Sequence, residues 1–139
     1  RKQNRKVVNN TLFFLVGRAV MRKEFYELLS ESFAEHPRII IVSTHLIDEI
    51  ADVAKQVIMI NDGELIFNED INTVVEKAYK VSGLPEQVKA YSKDLNLLSS
   101  ETVGKYEVAY IFDKRKDEDF DVDIEPLSLQ ELFIKWVEG

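Results

Sequence analysis

Cysteine is missing from the sequence altogether, which excludes disulfides, thiolate-bound zinc and a cysteine nucleophile, and fits a reducing compartment. Histidine is almost as scarce: His36 and His45 are the only two, too few for an imidazole-rich metal site. Only five glycines occur, and none falls in the pattern Gly-x-x-x-x-Gly-Lys-Ser/Thr, whose backbone N–H groups cradle phosphates. No apolar run approaches the roughly 18 residues that a membrane-spanning helix needs. The basic start Arg1-Lys2-Gln3-Asn4-Arg5-Lys6 is not followed by a small-residue cleavage site, so a chain neither spanning nor secreted is expected. Excess positive charge is lacking too. A net charge of -7 argues against nonspecific nucleic-acid binding, which needs clustered Lys and Arg to displace counterions.

The remaining composition, 45% apolar and 31% charged, is that of an ordinary folded domain, and 139 residues suffice for one compact, bipartite unit. Acid is concentrated in residues 113–125, where seven of thirteen positions are Asp or Glu, interrupted by Lys114, Arg115 and Lys116. That run reads as a solvated loop.

Hydrophobic periodicity divides the chain further. The run Thr11-Leu12-Phe13-Phe14-Leu15-Val16 suits a buried strand. Met21, Phe25, Leu28, Leu29 and Phe33 recur at helical spacing until His36-Pro37 stops the helix, because a residue before proline avoids the helical region. Ile39-Ile40-Ile41-Val42 and Val57-Ile58-Met59-Ile60 are unbroken apolar runs, as expected of parallel strands covered on both faces. Between them Leu46, Ile50, Val53 and Ala54 mark an amphipathic helix, so the two runs are expected to join one sheet through a right-handed crossover. Asp62-Gly63 signals a tight hairpin into Glu64-Leu65-Ile66-Phe67.

A helix is expected over residues 71–77 and a strand over 78–81. After the turn Ser82-Gly83 come a helix over 84–91 opened by Pro85 and a strand over 95–100. A second strand of this hairpin places Tyr106, Val108, Tyr110 and Phe112 on one face. Leu129, Leu132, Phe133, Trp136 and Val137 then follow helical spacing behind a capping box of Ser128 and Glu131. The aromatic side chains Tyr106, Tyr110 and Trp136 are assigned to core.

The chemistry-bearing block is residues 38–67: an apolar strand, Ser43-Thr44-His45 at its carboxyl end, acids at Asp48 and Glu49, a second strand and Asp62-Gly63. A histidine at that strand end sits where open α/β sheets bind ligands, and an imidazole there can hydrogen-bond a terminal phosphate or an attacking water. Ser43 lacks a glycine elbow, so a hydrolase triad is unsupported. Asp48, Glu49 and Asp52 are better read as favourable acids of a helix start than as a metal site, and His36 as a helix-end residue.

The block resembles the switch-histidine region of ABC transporter ATPases, with its hydrophobic strand into Ser-Thr-His, an acid four along at Glu49, a helix, and a strand ending in Asp-Gly. Gly17 with Ala19-Val20-Met21-Arg22 is similar to the segment after the family's D-loop. Ile124-Glu125-Pro126-Leu127-Ser128-Leu129 into Phe133 looks like the terminal helix of bacterial members. The resemblance covers residues 17–68 and 124–136, and the part between resembles the family's variable appended region. It implies an α/β fold: a partial P-loop NTPase-type parallel sheet with helices over residues 1–76, the carboxy-terminal part of an ABC ATPase core. A small appended α+β subdomain with a terminal helix follows over residues 77–139.

The resemblance further implies a carboxy-terminal fragment of the ATP-hydrolysing subunit of a bacterial ABC transporter, cytoplasmic and peripheral to the inner face of the cell membrane. In such a protein His45 is the γ-phosphate sensor, ATP and Mg are the substrate and its ion, and a membrane permease subunit and a second ATPase subunit are the partners. No nucleic acid and no direct membrane insertion are implied. Departures from the family are equally specific. Where the family has Asp-Glu-Pro after an apolar strand, Leu12-Phe13-Phe14-Leu15 runs into Val16-Gly17-Arg18, and the D-loop remnant is Gly17, Arg18 and Ala19. The phosphate loop, glutamine loop and signature motif are absent, so this chain alone is expected to have no cofactor-binding residues, no metal site and no ATPase activity. Two other readings stay open: a noncatalytic interaction or regulatory module that does not bind nucleotide, and an unrelated α/β regulator with a small-molecule site in the appended part.

Overall fold

A computed structural model describes residues 7–8, 11–15, 22–43 and 47–139. The chain divides into two compact units, Arg1–Val53 and Ala54–Gly139.

The first unit contains strands β1 (Val7–Val8), β2 (Thr11–Leu15) and β3 (Ile39–Ser43) and helices α1 (Arg22–Glu35) and α2 (Ile47–Ala51). Its sheet has the order β1-β2-β3. β1 runs antiparallel to β2, and β3 runs parallel to it, in register from Thr11 opposite Ile39 to Leu15 opposite Ser43. The α1 helix ends where the His36 N–H donates to the Ser32 carbonyl at 3.0 Å, one residue before Pro37. Along β3 burial alternates: Ile39, Ile41 and Ser43 are exposed, whereas Ile40 and Val42 are half-buried. An unbroken β-branched run therefore forms an edge strand with one exposed face, where two covered faces are expected.

The second unit opens with a hairpin of β4 (Gln56–Asn61) and β5 (Glu64–Asp70). Asp62 and Gly63 turn it with φ of 49° and 78°, the two positive values that a tight hairpin of this kind requires. The order continues through α3 (Ile71–Lys77), β6 (Ala78–Gly83), α4 (Pro85–Ser92), β7 (Leu97–Val103), β8 (Tyr106–Phe112), β9 (Asp123–Pro126) and α5 (Leu129–Glu138). The β6 to β9 strands form an antiparallel sheet of order β7-β8-β6-β9.

These pairings overturn the expected α/β architecture. The fold is mixed α+β, with five helices among the described residues and antiparallel sheets of two and four strands. No sheet is parallel throughout, and the β2–β3 pair is all the parallel pairing that the described residues show. Among the described residues β4 pairs with β5, and no pairing of β4 with β3 forms the sheet expected from the crossover. Burial gives the physical reason: in β4 only Met59 is buried, while Ile58 and Ile60 are exposed, so the strand is not enclosed on two faces as an inner parallel strand is.

The centre of the four-stranded sheet, β6 and β8, is packed on both faces. On one face Tyr79 and Val81 of β6 and Ala109 and Ile111 of β8 pack with Val88 and Tyr91 of α4. On the other, Phe112 of β8 meets Trp136 of α5 with ring centroids 5.1 Å apart, and Phe67 of β5 stacks on Phe112 at 5.2 Å. Alternate residues of β8 thus serve opposite layers. The expected single apolar face of β8 is instead two, and Tyr106 at its start is exposed. At the start of α5 the capping box is formed: the Ser128 hydroxyl accepts from the Glu131 N–H, and the Glu131 carboxylate accepts from the Ser128 N–H. Part of the acidic run is not loop, since Asp123–Pro126 pairs with β6 as an edge strand and sets Lys80 Nζ 3.1 Å from Glu125. No helix among the described residues is long and apolar enough to cross a membrane.

Candidate functional site

The residues singled out for chemistry, His45 and the D-loop remnant Gly17, Arg18 and Ala19, lie outside the described residues. The nearest described residues on either side of His45 are Ser43 and Ile47. β3 ends at Ser43, two positions before His45 in the chain, and α2 begins at Ile47 with Asp48 and Glu49 in its first turn. Among the described residues no group of three or more His, Asp or Glu is placed to hold a metal ion.

A second constellation, which sequence reasoning missed, lies in the carboxy-terminal unit at the end of the sheet where β6 begins and β8 and β9 finish. A hydrogen-bonded relay organises it. The Lys116 N–H donates to the Tyr91 hydroxyl at 3.3 Å, Tyr91 donates to the Tyr79 hydroxyl at 3.5 Å, and Tyr79 donates to the Lys114 carbonyl at 3.3 Å. Each buried hydroxyl therefore gives one hydrogen bond and receives one. The loop after β8 is pinned on both sides of Arg115, whose guanidinium lies 5.4 Å from the Tyr79 ring centroid. Lys116 reaches the Lys93 carbonyl at 2.9 Å and covers the rings of Tyr91 and Phe120.

Against this loop lies a cavity of about 470 Å³, walled by Thr73, Val75, Glu76 and Lys77 of α3, by Lys114 and Arg115, and by Pro126 of β9. Its backbone frame is fixed: the Asp113 N–H donates to the Lys77 carbonyl and the Leu127 N–H to the Ala78 carbonyl, both at 3.0 Å. Lys77 is held by both carboxylate oxygens of Glu69, at 3.0 and 3.1 Å. In sequence these basic residues figure only as the end of a helix and as interruptions of an acidic run, and the unbroken triplet Lys114-Arg115-Lys116 is the single signal that pointed here.

No family model matches the chain, and no curated protein matches it at a significant level.

Two tyrosines have shifted acidities. Burial pushes the Tyr79 hydroxyl well above its ordinary value, and its hydrogen bond with Tyr91 adds to the effect. The Tyr110 hydroxyl, which donates to the Glu101 carboxylate at 2.5 Å, is pushed up to about 12, first by that bond and then by burial. A raised value in the fold means that the unfolded chain loses these protons first as pH rises. The stability contributed by Tyr110 is thus fully present below about pH 10 and is lost as pH climbs from there toward about 12. Denaturation measured across that window should fall less steeply for Tyr110→Phe than for the parent chain. Superimposable profiles would show that Glu101 does not hold the phenol proton.

Proposed function

We propose that this chain is the carboxy-terminal portion of the ATP-hydrolysing subunit of a bacterial ABC transporter, with His45 as the γ-phosphate sensor of the intact protein. The observation that carries the reading is the run from β3 into Ser43-Thr44-His45, beside a parallel strand and ahead of a helix start bearing Asp48 and Glu49. The Asp62-Gly63 turn at the end of β4 extends the same succession. Exposed apolar surface supports a portion of something larger. Ile39 and Ile41 of β3 are 63% and 41% exposed, and Ile58, Ile60 and Leu65 of the β4–β5 hairpin are 56%, 60% and 63% exposed. In each unit, exposed apolar surface of that kind is normally covered by further protein. In the intact protein the phosphate loop, signature motif and paired carboxylates come from sequence that this chain does not contain. A membrane permease and a second ATPase subunit are then the partners, at the inner face of the cell membrane.

A noncatalytic interaction or regulatory module is the second reading, favoured by where the core lies. Among the described residues every large side chain buried to less than 2% exposure belongs to the carboxy-terminal unit, from Val74 to Leu132. Two measurements separate the readings. Calorimetric titration of this chain with Mg-ATP is expected to show no micromolar binding, and binding at that level would overturn the assignment of the nucleotide grip to sequence outside it. The coding sequence upstream of Arg1 is expected to contain a phosphate loop, a signature motif and an Asp-Glu pair, in or out of frame. Finding none of them would leave the noncatalytic module as the function.

A further inference from the structure

We infer that the cavity between α3 and the loop after β8 is a binding site for a small phosphoryl anion, with Arg115 and Lys114 as its principal ligands. The inference does not rest on the transporter reading, since every residue in it belongs to the carboxy-terminal unit.

Charge is the first ground. In a chain of net charge -7, three basic residues, Lys77, Lys114 and Arg115, line one cavity whose lining contains a single acid, Glu76. Lys77 is neutralised by Glu69 at 3.0 Å. Among the described residues neither Lys114 nor Arg115 has a carboxylate within ion-pair distance. Basic residues that line a cavity without a counter-ion suit an anionic ligand.

Preorganisation is the second. Side chains on a free loop lose rotamer and backbone entropy when they close on a ligand, and that loss subtracts from affinity. Here the backbone flanking Arg115 is tied to the two buried tyrosines through the Lys114 carbonyl and the Lys116 N–H. Asp113 fixes the start of the same loop by accepting from the Lys114 N–H at 2.8 Å and from the Asn96 N–H at 2.9 Å. The Arg115 guanidinium, resting over Tyr79, keeps its planar fork of donors for a tetrahedral oxyanion.

Size and lining complete the case. A cavity of about 470 Å³ lies within the range of small-molecule sites, roughly 300–1,000 Å³. Val75 and Pro126 offer apolar wall for a short organic group, and the Thr73 hydroxyl offers one more donor. A phosphate monoester or a diphosphate offers more oxygens to one point charge and a fork than a single carboxylate does.

The test is a nuclear magnetic resonance titration of the full chain with inorganic pyrophosphate at constant ionic strength, repeated with citrate as a carboxylate of comparable charge. Saturable shifts are expected at the amides of Thr73, Glu76, Lys114 and Arg115, with pyrophosphate bound at least about tenfold more tightly than citrate. Because Lys114 and Arg115 are exposed, the double variant Lys114→Gln/Arg115→Gln should keep the fold and weaken pyrophosphate at least about tenfold, whereas Glu76→Gln should tighten it by removing the lone repelling charge. Shifts that fail to saturate, equal affinity for citrate, or an unchanged constant in the folded double variant would each overturn the proposal.

Discussion

In the parent ATPase proposed for this segment, His45→Ala should lower turnover by about 10²–10³-fold and leave nucleotide affinity within a few-fold. The expectation follows from what an imidazole can do at the end of a strand. A neutral ring still donates one N–H, and a donor aimed at a γ-phosphate oxygen gains strength as charge gathers there in the transition state. Only an interaction stronger in the transition state than in the ground state raises turnover, so its loss shows in the rate and hardly in binding. Glutamine, which keeps an N–H donor on a side chain of similar reach, should recover part of the rate. Unchanged turnover in the alanine variant removes His45 from the chemistry and with it the proposed role of this segment.

How much of the molecule is legible in its sequence depends on which atoms hold each element. α5 is legible because side chains define it at every level: Ser128 and Glu131 close a capping box, and Leu129 and Leu132 are buried at helical spacing. The β4–β5 hairpin is legible because only a few residue types accept the two positive φ values at Asp62 and Gly63. β9 is not legible. Asp123-Ile124-Glu125-Pro126 exposes all four side chains and is attached through backbone pairing to β6, which leaves no mark on residue choice. The runs Ile39-Ile40-Ile41-Val42 and Val57-Ile58-Met59-Ile60 mislead in the opposite sense. Their composition suits two covered faces, yet each strand shows an apolar face to solvent, and the expected parallel sheet is replaced by separate sheets. The cavity beside α3 is the least legible feature, because its lining from α3, the loop after β8 and β9 is assembled only through the pairing of β6 with β8 and β9.

Within the carboxy-terminal unit the largest stability effect is expected at Ile111. This side chain is fully buried, lies opposite Tyr79 in the β6–β8 register, and packs in the cluster with Val81, Val88, Tyr91 and Ala109. Ile111→Ala removes three carbons from a layer held between a central strand and α4, and should cost about 2–5 kcal/mol, because lost transfer energy is joined by a cavity that rigid neighbours cannot fill. Ile111→Val, which removes one carbon, should cost about 0.5–1.5 kcal/mol. Trp136 reports the loss, since it packs on Phe112 at 5.1 Å and on Phe67 at 5.7 Å, on the face of the sheet opposite Ile111. Urea unfolding followed by its fluorescence therefore reads the stability of the unit without the probe touching the mutated site. Against a total of about 5–15 kcal/mol for a typical domain, the alanine variant approaches the limit of folding. Ile124→Ala, on the exposed edge strand β9, should cost less than about 1 kcal/mol and serves as the control. Similar losses at Ile111 and Ile124 would mean that the face between the sheet and α4 is not a packed core, and the tyrosine relay anchored in it could then no longer hold Lys114 and Arg115 in place.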